Sequence, residues 1–388
     1  MGVTFRMKEL MEHAVLTEYQ EDKLSLEEAC ERLEICRSTL WRKCRKLEEE
    51  GASGLIHKLR GKTSNFAQDP EVKQRICDLF EKDYKPFGFR VAHFYQHALE
   101  KEESSPAYPT VLRWLKAIHL VEKSKKGWKH RSRRPRREAF GEMLQMDTST
   151  HDWLAWGKNL ALISNMDDST SVLCGAYLTH SDTTLGNMTV IKQTLKTYGL
   201  FGSLYVDRSP IFKVTRTGGI GRINQPTYTA PYITQFKRAL DELKIKLIYA
   251  YSPQAKGRVE RSYQTWQSRL IPELKKNGIR ELEKANAYIH EVFIPAHNER
   301  FAKDPSKLPN SFVPLPTEID LDKILAERYQ MTVGNDHIVK SKQAGVSIKV
   351  LPSKHRLSYA KAKVDVYKHM DGSLSILYKE EPLNFVPF

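Results

Sequence analysis

The sequence predicts a multidomain chain with all-α helix-turn-helix units first, an α/β core with a mixed sheet in the middle, and a small C-terminal all-β barrel or sandwich last. Three observations predict it. Apolar residues recur at helical spacing up to about Leu120, β-forming runs alternate with helical ones between about Leu144 and Leu270, and short β runs with an Asp-Gly turn close the chain. At 388 residues the chain is too long for one ordinary core, which agrees with several units.

The charge balance narrows the partner. A formal net charge of +15 favours a polyanion, because clustered Lys and Arg gain affinity by neutralising phosphates and releasing counterions, and nucleic acid is the leading candidate. There is no apolar span of roughly 18 residues, no signal peptide and no lipidation motif. No membrane is therefore expected, and the expected location is cytoplasmic, at the nucleoid when bound to DNA. Cys30, Cys36, Cys44, Cys77 and Cys174 are an odd number without a Cys-x-x-Cys pair, which reads as reduced thiols rather than disulfides or a zinc site.

Residues 1–60 read as three helices. Met7 to Tyr19 carries Leu10, Met11, Ala14 and Val15 at helical spacing, and Ser25 with Glu28 makes a capping box at the start of the second helix. In the third, "RSTLWRKCRKLEEEG", Leu40, Trp41 and Leu47 are expected to pack while Arg37, Arg42, Lys43, Arg45 and Lys46 face outward. That is the layout of a helix-turn-helix whose last helix enters a major groove, so these five cations are candidate DNA contacts. Residues 61–121 read as a second helical DNA-binding unit. Its helices are Asp69 to Lys82, "FGFRVAHFYQHALE" and "YPTVLRWLKAIHL", with Val111, Leu112, Leu115 and Ile118 inward and Arg113 and Lys116 outward. Residues 122–138 form a basic linker, because "KSKKGWKHRSRRPRR" holds nine Lys or Arg and no acid and cannot build a core. Lys129, Arg131, Arg133, Arg134, Arg136 and Arg137 are expected to track a phosphate backbone.

From 139 to 310 the pattern changes to β runs and helices. "MLQMDTSTHDW", "LALISNMDD" and "SVLCGAYLTH" read as a meander, a helix from Thr184 to Tyr198 follows, and "SLYVDRS" and "KIKLIYAY" are a fourth and fifth strand separated by a helix from Pro231 to Leu243. In the next helix Val259, Tyr263, Trp266 and Leu270 form a stripe that packs on the sheet, leaving Lys256, Glu260, Gln264 and Gln267 on a polar face. Asp147 ends the first strand, Asp207 ends the fourth, and Glu260 lies in the first turn of that helix. Strand ends and a facing helix can converge, and converging carboxylates suit Mg²⁺, which takes hard oxygen ligands. On its own, Glu260 is better explained as a helix-start acid paired with Arg261 or Lys256. Residues 311–328, with "VPLPTEIDL", read as a linker. Residues 329–388 hold "VSIKVLP", "KVDVYKH" and "LSILYKE", with a hairpin turn at Asp371-Gly372.

The stretches "QMDTSTHDW", "LYVDRS", "YSPQAKGRVERSYQTWQSRLIPEL" and "FIPAHNERFAKDP" together resemble the transposases of bacterial insertion sequences whose catalytic domain is of the retroviral-integrase type. The resemblance covers about Leu144 to Pro305, and "SPQAKGRVER" is its specific part. It implies a ribonuclease H-like core in which Asp147, Asp207 and Glu260 are the catalytic and metal-binding triad, with two Mg²⁺ ions per site and Mn²⁺ able to substitute. It also implies that Lys256, Arg258 and Arg261 hold the DNA strand being cut. The implied partners are element-end and target DNA, with a homo-oligomer when assembled on DNA and no nucleotide cofactor. The implied activity is cleavage of a phosphodiester by metal-activated water and transfer of the freed 3′-hydroxyl end to target DNA. Two other readings stand beside it: a non-catalytic DNA-binding regulator derived from such an enzyme, and a ribonuclease H-like metal nuclease that cuts without joining.

The chain departs from the pattern in two places. Arg208-Ser209 follows the second Asp where the superfamily often has Asn-Gly, and a loop from Ile211 to Tyr228 lengthens the interval to Glu260. The "TGGIG" in that loop lacks the Lys-Ser/Thr of a phosphate-binding loop. Asp167 and Asp168 are expected to serve a turn, and Asn298 and Arg300 to close the domain. His151 could touch the scissile phosphate or simply sit at the site rim, and Asp152 follows Asp147 too closely in sequence to be given a role.

Overall fold

A computed structural model of the chain describes residues 7–60, 68–122, 135–214, 233–250, 257–341, 345–354 and 356–388, with only the backbone described at 257, 258 and 260. These residues form two compact units divided after Lys73.

The first unit contains α1 (Met7–Gln20), α2 (Leu26–Leu33) and α3 (Arg37–Glu50) around a small core of Leu16, Ala29, Leu40 and Cys44. The capping box forms as expected: the Ser25 hydroxyl accepts from the Glu28 N–H, and the Glu28 carboxylate accepts from the Ser25 N–H at 2.9 Å. A left-handed Glu34 ends α2, and the chain re-enters a helix at Arg37. The packing differs from the expected one at three points. Leu10 and Met11 are 51% and 61% exposed, with Leu16 taking their place in the core, and Trp41 is 67% exposed. Lys43 turns inward to an ion pair with Glu12 of α1, because its helix face is the one that meets α1.

The second unit is built on a five-stranded mixed sheet of order β3-β2-β1-β4-β5. Its strands are β1 (Met143–His151), β2 (Leu160–Asp167), β3 (Leu173–Thr179), β4 (Ser203–Val206) and β5 (Lys246–Tyr249). The first three form the expected antiparallel meander, and β4 and β5 add in parallel after α7 (Thr184–Tyr198) and α8 (Gln235–Glu242). Alternation along the strands gives each face its own core. Leu144, Met146, Ile163, Leu204 and Val206 pack with α7 and α8 on one face. Leu160, Leu162 and Leu178 pack on the other, under α9 (Gly257–Gln267), α10 (Leu270–Lys276), α11 (Leu282–Tyr288) and α12 (Ile294–Phe301). The edge strand β3 is covered by two asparagine side chains. Asn286 bridges the N–H and C=O of Leu178 at 2.7 and 2.8 Å, and Asn298 does the same for Leu173 at 2.7 and 3.0 Å. Asn298 therefore has the closing role expected of it.

The expected second helical unit appears as α4 (Pro70–Asp83), α5 (Val91–Phe94) running into a π-helical turn at Tyr95–Leu99, and α6 (Tyr108–Ala117). From Gln74 onward these residues pack on the sheet-bearing part of the unit. His93 Nε2 meets Glu273 of α10 at 2.6 Å, and Arg300 of α12 holds Glu100 through two bonds of 2.7 and 3.1 Å. Val111 and Leu115 of α6 are buried as expected, but Ile118, beyond its last turn, is exposed.

The stretch expected as a linker at 311–328 is packed along the sheet unit. Leu200 and Val313 exchange backbone bonds of 2.8 and 2.9 Å, and Leu321, in the short α13 (Leu321–Ile324), and Leu325 join the first core. Gly199 makes this approach possible: at φ +97° it ends α7, and a Cβ there would stand 2.2 Å from the Val313 carbonyl oxygen. The terminal β unit has a four-stranded sheet, β11-β10-β9-β6, and a three-stranded sheet, β12-β8-β7, over one core that includes Val333, Ile348, Val366 and Ile376. The two share no ladder among the described residues, so of the expected barrel or sandwich this is the two-sheet form and not a closed barrel. The strands are β6 (Glu327–Thr332), β7 (Ile338–Ser341), β8 (Val346–Val350), β9 (Lys363–Lys368), β10 (Leu374–Tyr378), β11 (Glu381–Pro382) and β12 (Phe385–Pro387). Asp371-Gly372 turns β9 into β10, with Asp371 accepting from the Ser373 N–H at 2.9 Å.

Candidate active site

The parallel pairing of β1 with β4 directs two of the candidate carboxylates toward one level. The ladder runs from Met143 opposite Ser203 to Gln145 opposite Tyr205. Asp147 lies two residues beyond Gln145 and Asp207 two beyond Tyr205, so the register leads both chains toward the same level, although the ladder itself ends at Gln145 and Tyr205. Asp207 directly follows β4, as expected. Asp147 does not end its strand: β1 runs on to His151, paired with β2 alone, because β4 stops at Val206. Both aspartates are half-buried, and Asp207 accepts the Ser209 N–H at 2.9 Å, which turns the chain away from the sheet.

Helix α9 is seated against this point. Val259, Tyr263, Trp266 and the following Leu270 are all buried, the stripe expected from the sequence. The Tyr263 hydroxyl donates to the backbone carbonyl of Asp147 at 2.5 Å and shares a 2.8 Å bond with the Ser164 hydroxyl. Burial, and then the Asp147 charge, push its pKa well up, so it stays a neutral donor. Glu260 is in the first turn of α9, three residues before Tyr263 and therefore on a neighbouring face. The anchor thus fixes the helix turn that carries Glu260 beside β1. The Glu260 side chain itself lies outside the described residues.

A third carboxylate in this group escaped sequence reasoning. Asp182 lies between β3 and α7, just before the helix cap Thr183. Its pKa is raised, first by burial and further by the charges of Asp207 and Asp147, while hydrogen bonds from Asn187 and Thr148 oppose the rise. The Asn187 amide donates to it at 2.6 Å from a fully buried position. The signal that finds it is the one applied to Asp147 and Asp207, an acid at the exit of a β run. Among the described residues no three His, Cys, Asp or Glu side chains stand close enough to enclose a metal ion. Asp182 feels the charges of Asp207 and Asp147, and carboxylate oxygens are ligands that suit a hard divalent cation and not a soft one.

The remaining candidates sort by surroundings. Asp167 is fully engaged, accepting from the N–H groups of Gly141 and Thr170 and the hydroxyls of Ser169 and Thr170. Asp168 accepts from the Arg137 N–H at 2.9 Å and from the Gln145 amide, so both aspartates support the β2–β3 turn. Asp152 accepts the N–H groups of Trp156 and Gly157 in the β1–β2 turn. Arg42, Arg45 and Lys46 of α3 and Arg113 and Lys116 of α6 are exposed, as expected of DNA contacts. Arg37 is exposed but paired with Glu27 at 3.0 Å. The end of the basic run is pinned, not free: Arg136 donates to the carbonyls of Asp168 and Ser169 and to the Ser171 hydroxyl, and Arg137 pairs with Glu142. Lys129, Arg131, Arg133, Arg134 and Lys256, the Arg258 side chain and the loop from 215 to 228 lie outside the described residues. Arg261, on α9, is exposed.

No family model matches the chain. Among curated proteins it is 26% identical to "Putative transposase y4bF" of Sinorhizobium fredii, covering 98% of this chain and 81% of that protein. It is 28% identical to the transposase for insertion sequence IS1202 of Streptococcus pneumoniae, covering 95% of this chain and 84% of that one. Among solved structures, a chain of the simian T-cell lymphotropic virus intasome is 14% identical, with a TM-score of 0.34 over 80% of this chain and 99% of that chain. The HTLV-2 integrase catalytic core with magnesium is also 14% identical, with a TM-score of 0.28 over 39% of this chain and 86% of that one. Along nearly its whole length, the chain is a relative of transposases, among them that of an insertion sequence.

Proposed function

We propose that the chain is a DNA transposase of an insertion sequence, with a ribonuclease H-like core and an active site formed by Asp147, Asp207 and Glu260. What supports this reading is the β1–β4 register, a parallel ladder from Met143/Ser203 to Gln145/Tyr205 that points Asp147 and Asp207 toward one another, beside a helix anchored through Tyr263 to the Asp147 carbonyl. The full-length similarity to transposases supports the reaction class.

The three carboxylates would hold Mg²⁺, or Mn²⁺ in its place, which when bound supplies charge stabilisation at the phosphoryl group and a water nucleophile at neutral pH. The chain's own residues bind and orient. Exposed cations of α3 and α6 hold the element end by phosphate and groove contacts, while Arg261 and the neighbouring Lys256 and Arg258 steady the strand to be cut. Water then attacks the phosphorus in line and the 3′ oxygen leaves as a hydroxyl. That hydroxyl attacks a target phosphodiester in the same site, exchanging one P–O bond for another without ATP or a covalent enzyme intermediate. Joining two ends calls for at least two copies of the chain assembled on DNA.

The test is a strand-transfer assay with the full chain, labelled element-end DNA, a target plasmid and Mg²⁺ or Mn²⁺, run beside Asp207→Asn and Glu260→Gln. Metal-dependent joined products are expected from the wild type. Each variant should keep end binding while losing roughly a hundredfold or more in cutting, the scale of losing one group that stabilises transition-state charge. Specific end binding with no cutting under either metal would instead favour a regulator, and cutting without joining a nuclease.

A further inference from the structure

A cavity of about 160 Å³ opens where the end of the basic run meets α9, lined by Arg136, Ser171, Arg261, Ser262, Thr265 and His297 together with Met166 and Phe301. It is roughly five times the liquid volume of a water molecule, enough for a tetrahedral oxyanion. Its lining includes two arginines and three hydroxyl-bearing residues, and none of its lining residues is acidic. Arg136 is held in its wall by bonds of 3.3 and 2.8 Å to the Asp168 and Ser169 carbonyls and 2.8 Å to the Ser171 hydroxyl. This cation has its position built in by the β2–β3 turn, so little side-chain entropy is lost on binding an anion. From the other wall, Arg261 follows Glu260 directly on α9.

We infer that this cavity binds a single phosphate of a DNA strand and so sets the register of that strand against the neighbouring carboxylates. The ligand chemistry is a phosphate oxyanion, and two features favour a strand over free phosphate. The cavity adjoins the helix turn that carries Glu260, and Arg136 in its wall belongs in sequence to the run of nine Lys and Arg from 123 to 137. The inference rests on DNA binding as proposed above but not on cutting.

The test uses the full chain and element-end duplexes in which one phosphate at a time is replaced by a neutral methylphosphonate. Wild type is compared with Arg261→Gln and Thr265→Glu, with Thr265→Gln as the uncharged control. One position is expected at which neutralisation weakens binding by the wild type and by Thr265→Gln but leaves the two charge-altered variants unaffected. For Arg261→Gln the slope of log affinity against log salt should fall by about 1, the loss of one phosphate contact. Equal sensitivity of all four proteins at every position, with an unchanged slope, overturns the inference. If inorganic phosphate stabilises wild type but not Thr265→Glu, and no DNA position is privileged, the cavity holds a free anion and the strand assignment is overturned. A privileged position in a chain that neither cuts nor joins sustains the inference while the transposase reading falls.

Discussion

Asp182 and His297 are single residues whose surroundings decide what they do. Asp182 adds a third negative charge beside Asp147 and Asp207, and Coulomb attraction for a divalent cation grows with each such charge. Asp182→Asn is expected to leave the fold intact and to raise the Mg²⁺ concentration needed for half-maximal cutting, whereas Asp207→Asn abolishes cutting at any concentration. A titration of cutting against Mg²⁺ checks this, and an unchanged midpoint would remove Asp182 from the site. His297 is 5% exposed, and burial lowers its pKa from 6.5 to about 4. The unfolded chain therefore binds a proton between those values that the folded chain refuses, so stability is whole above pH 6.5 and falls as pH drops toward 4. The shift corresponds to about 3 kcal/mol. Thermal unfolding across pH 4 to 7 should show this slope flattened in His297→Leu.

At the scale of elements, the important joint is between α9 and β1. The Tyr263 hydroxyl ties the α9 turn next to Glu260 to the backbone of Asp147. Tyr263→Phe keeps the ring in its buried slot but strands the Asp147 carbonyl and Ser164. The expected cost is about 1–2 kcal/mol in stability, with cutting reduced roughly tenfold to a hundredfold by misalignment and DNA binding unchanged. Equal cutting by the two proteins would show that α9 is held by its apolar stripe alone. The asparagine covers on β3 make a separate prediction. Asn298→Ala leaves both the N–H and the C=O of Leu173 without their partner, so denaturant unfolding should show a loss of about 1–3 kcal/mol, with the metal dependence of cutting unaffected.

At the scale of the whole molecule, the division after Lys73 separates a three-helix unit with its own core from a unit that holds the sheet, both of its helical faces and the terminal β sheets. Helices that read from the sequence as a second DNA-binding module are bonded to α10 and α12 through His93–Glu273 and Glu100–Arg300. A chain of residues 68–388 is therefore expected to unfold in one cooperative transition and to nick DNA in Mg²⁺ without preference for an element end. Starting the chain at 122 instead uncovers the surface on which α5 lies and should lower its unfolding temperature. Circular dichroism melts and a nicking assay on end and non-end duplexes check both.

Local signals were enough to locate most elements. The Ser25–Glu28 capping box, the α7 boundaries at Thr184 and Tyr198, the β1–β3 meander, the Asp371-Gly372 hairpin and the Val259–Tyr263–Trp266–Leu270 stripe all depend on near neighbours in the chain, through caps, turns and side-chain periodicity. Asp207 was legible for the same reason, as an acid leaving a β run, whereas Asp147 lies inside β1 and not at its end. Tertiary structure decided what depends on partners distant in sequence. Lys43 turned inward because Glu12 was waiting on α1, and the 311–328 stretch became packed structure because Val313 met Leu200 past Gly199. Arg136 changed from arm to cavity wall because the β2–β3 turn offered it carbonyls. Asp182 joined the carboxylates only once the sheet brought the exit of β3 near β1 and β4. Periodicity reports which face of an element is apolar, but a charge close to a distant charge is a property of the folded sheet alone.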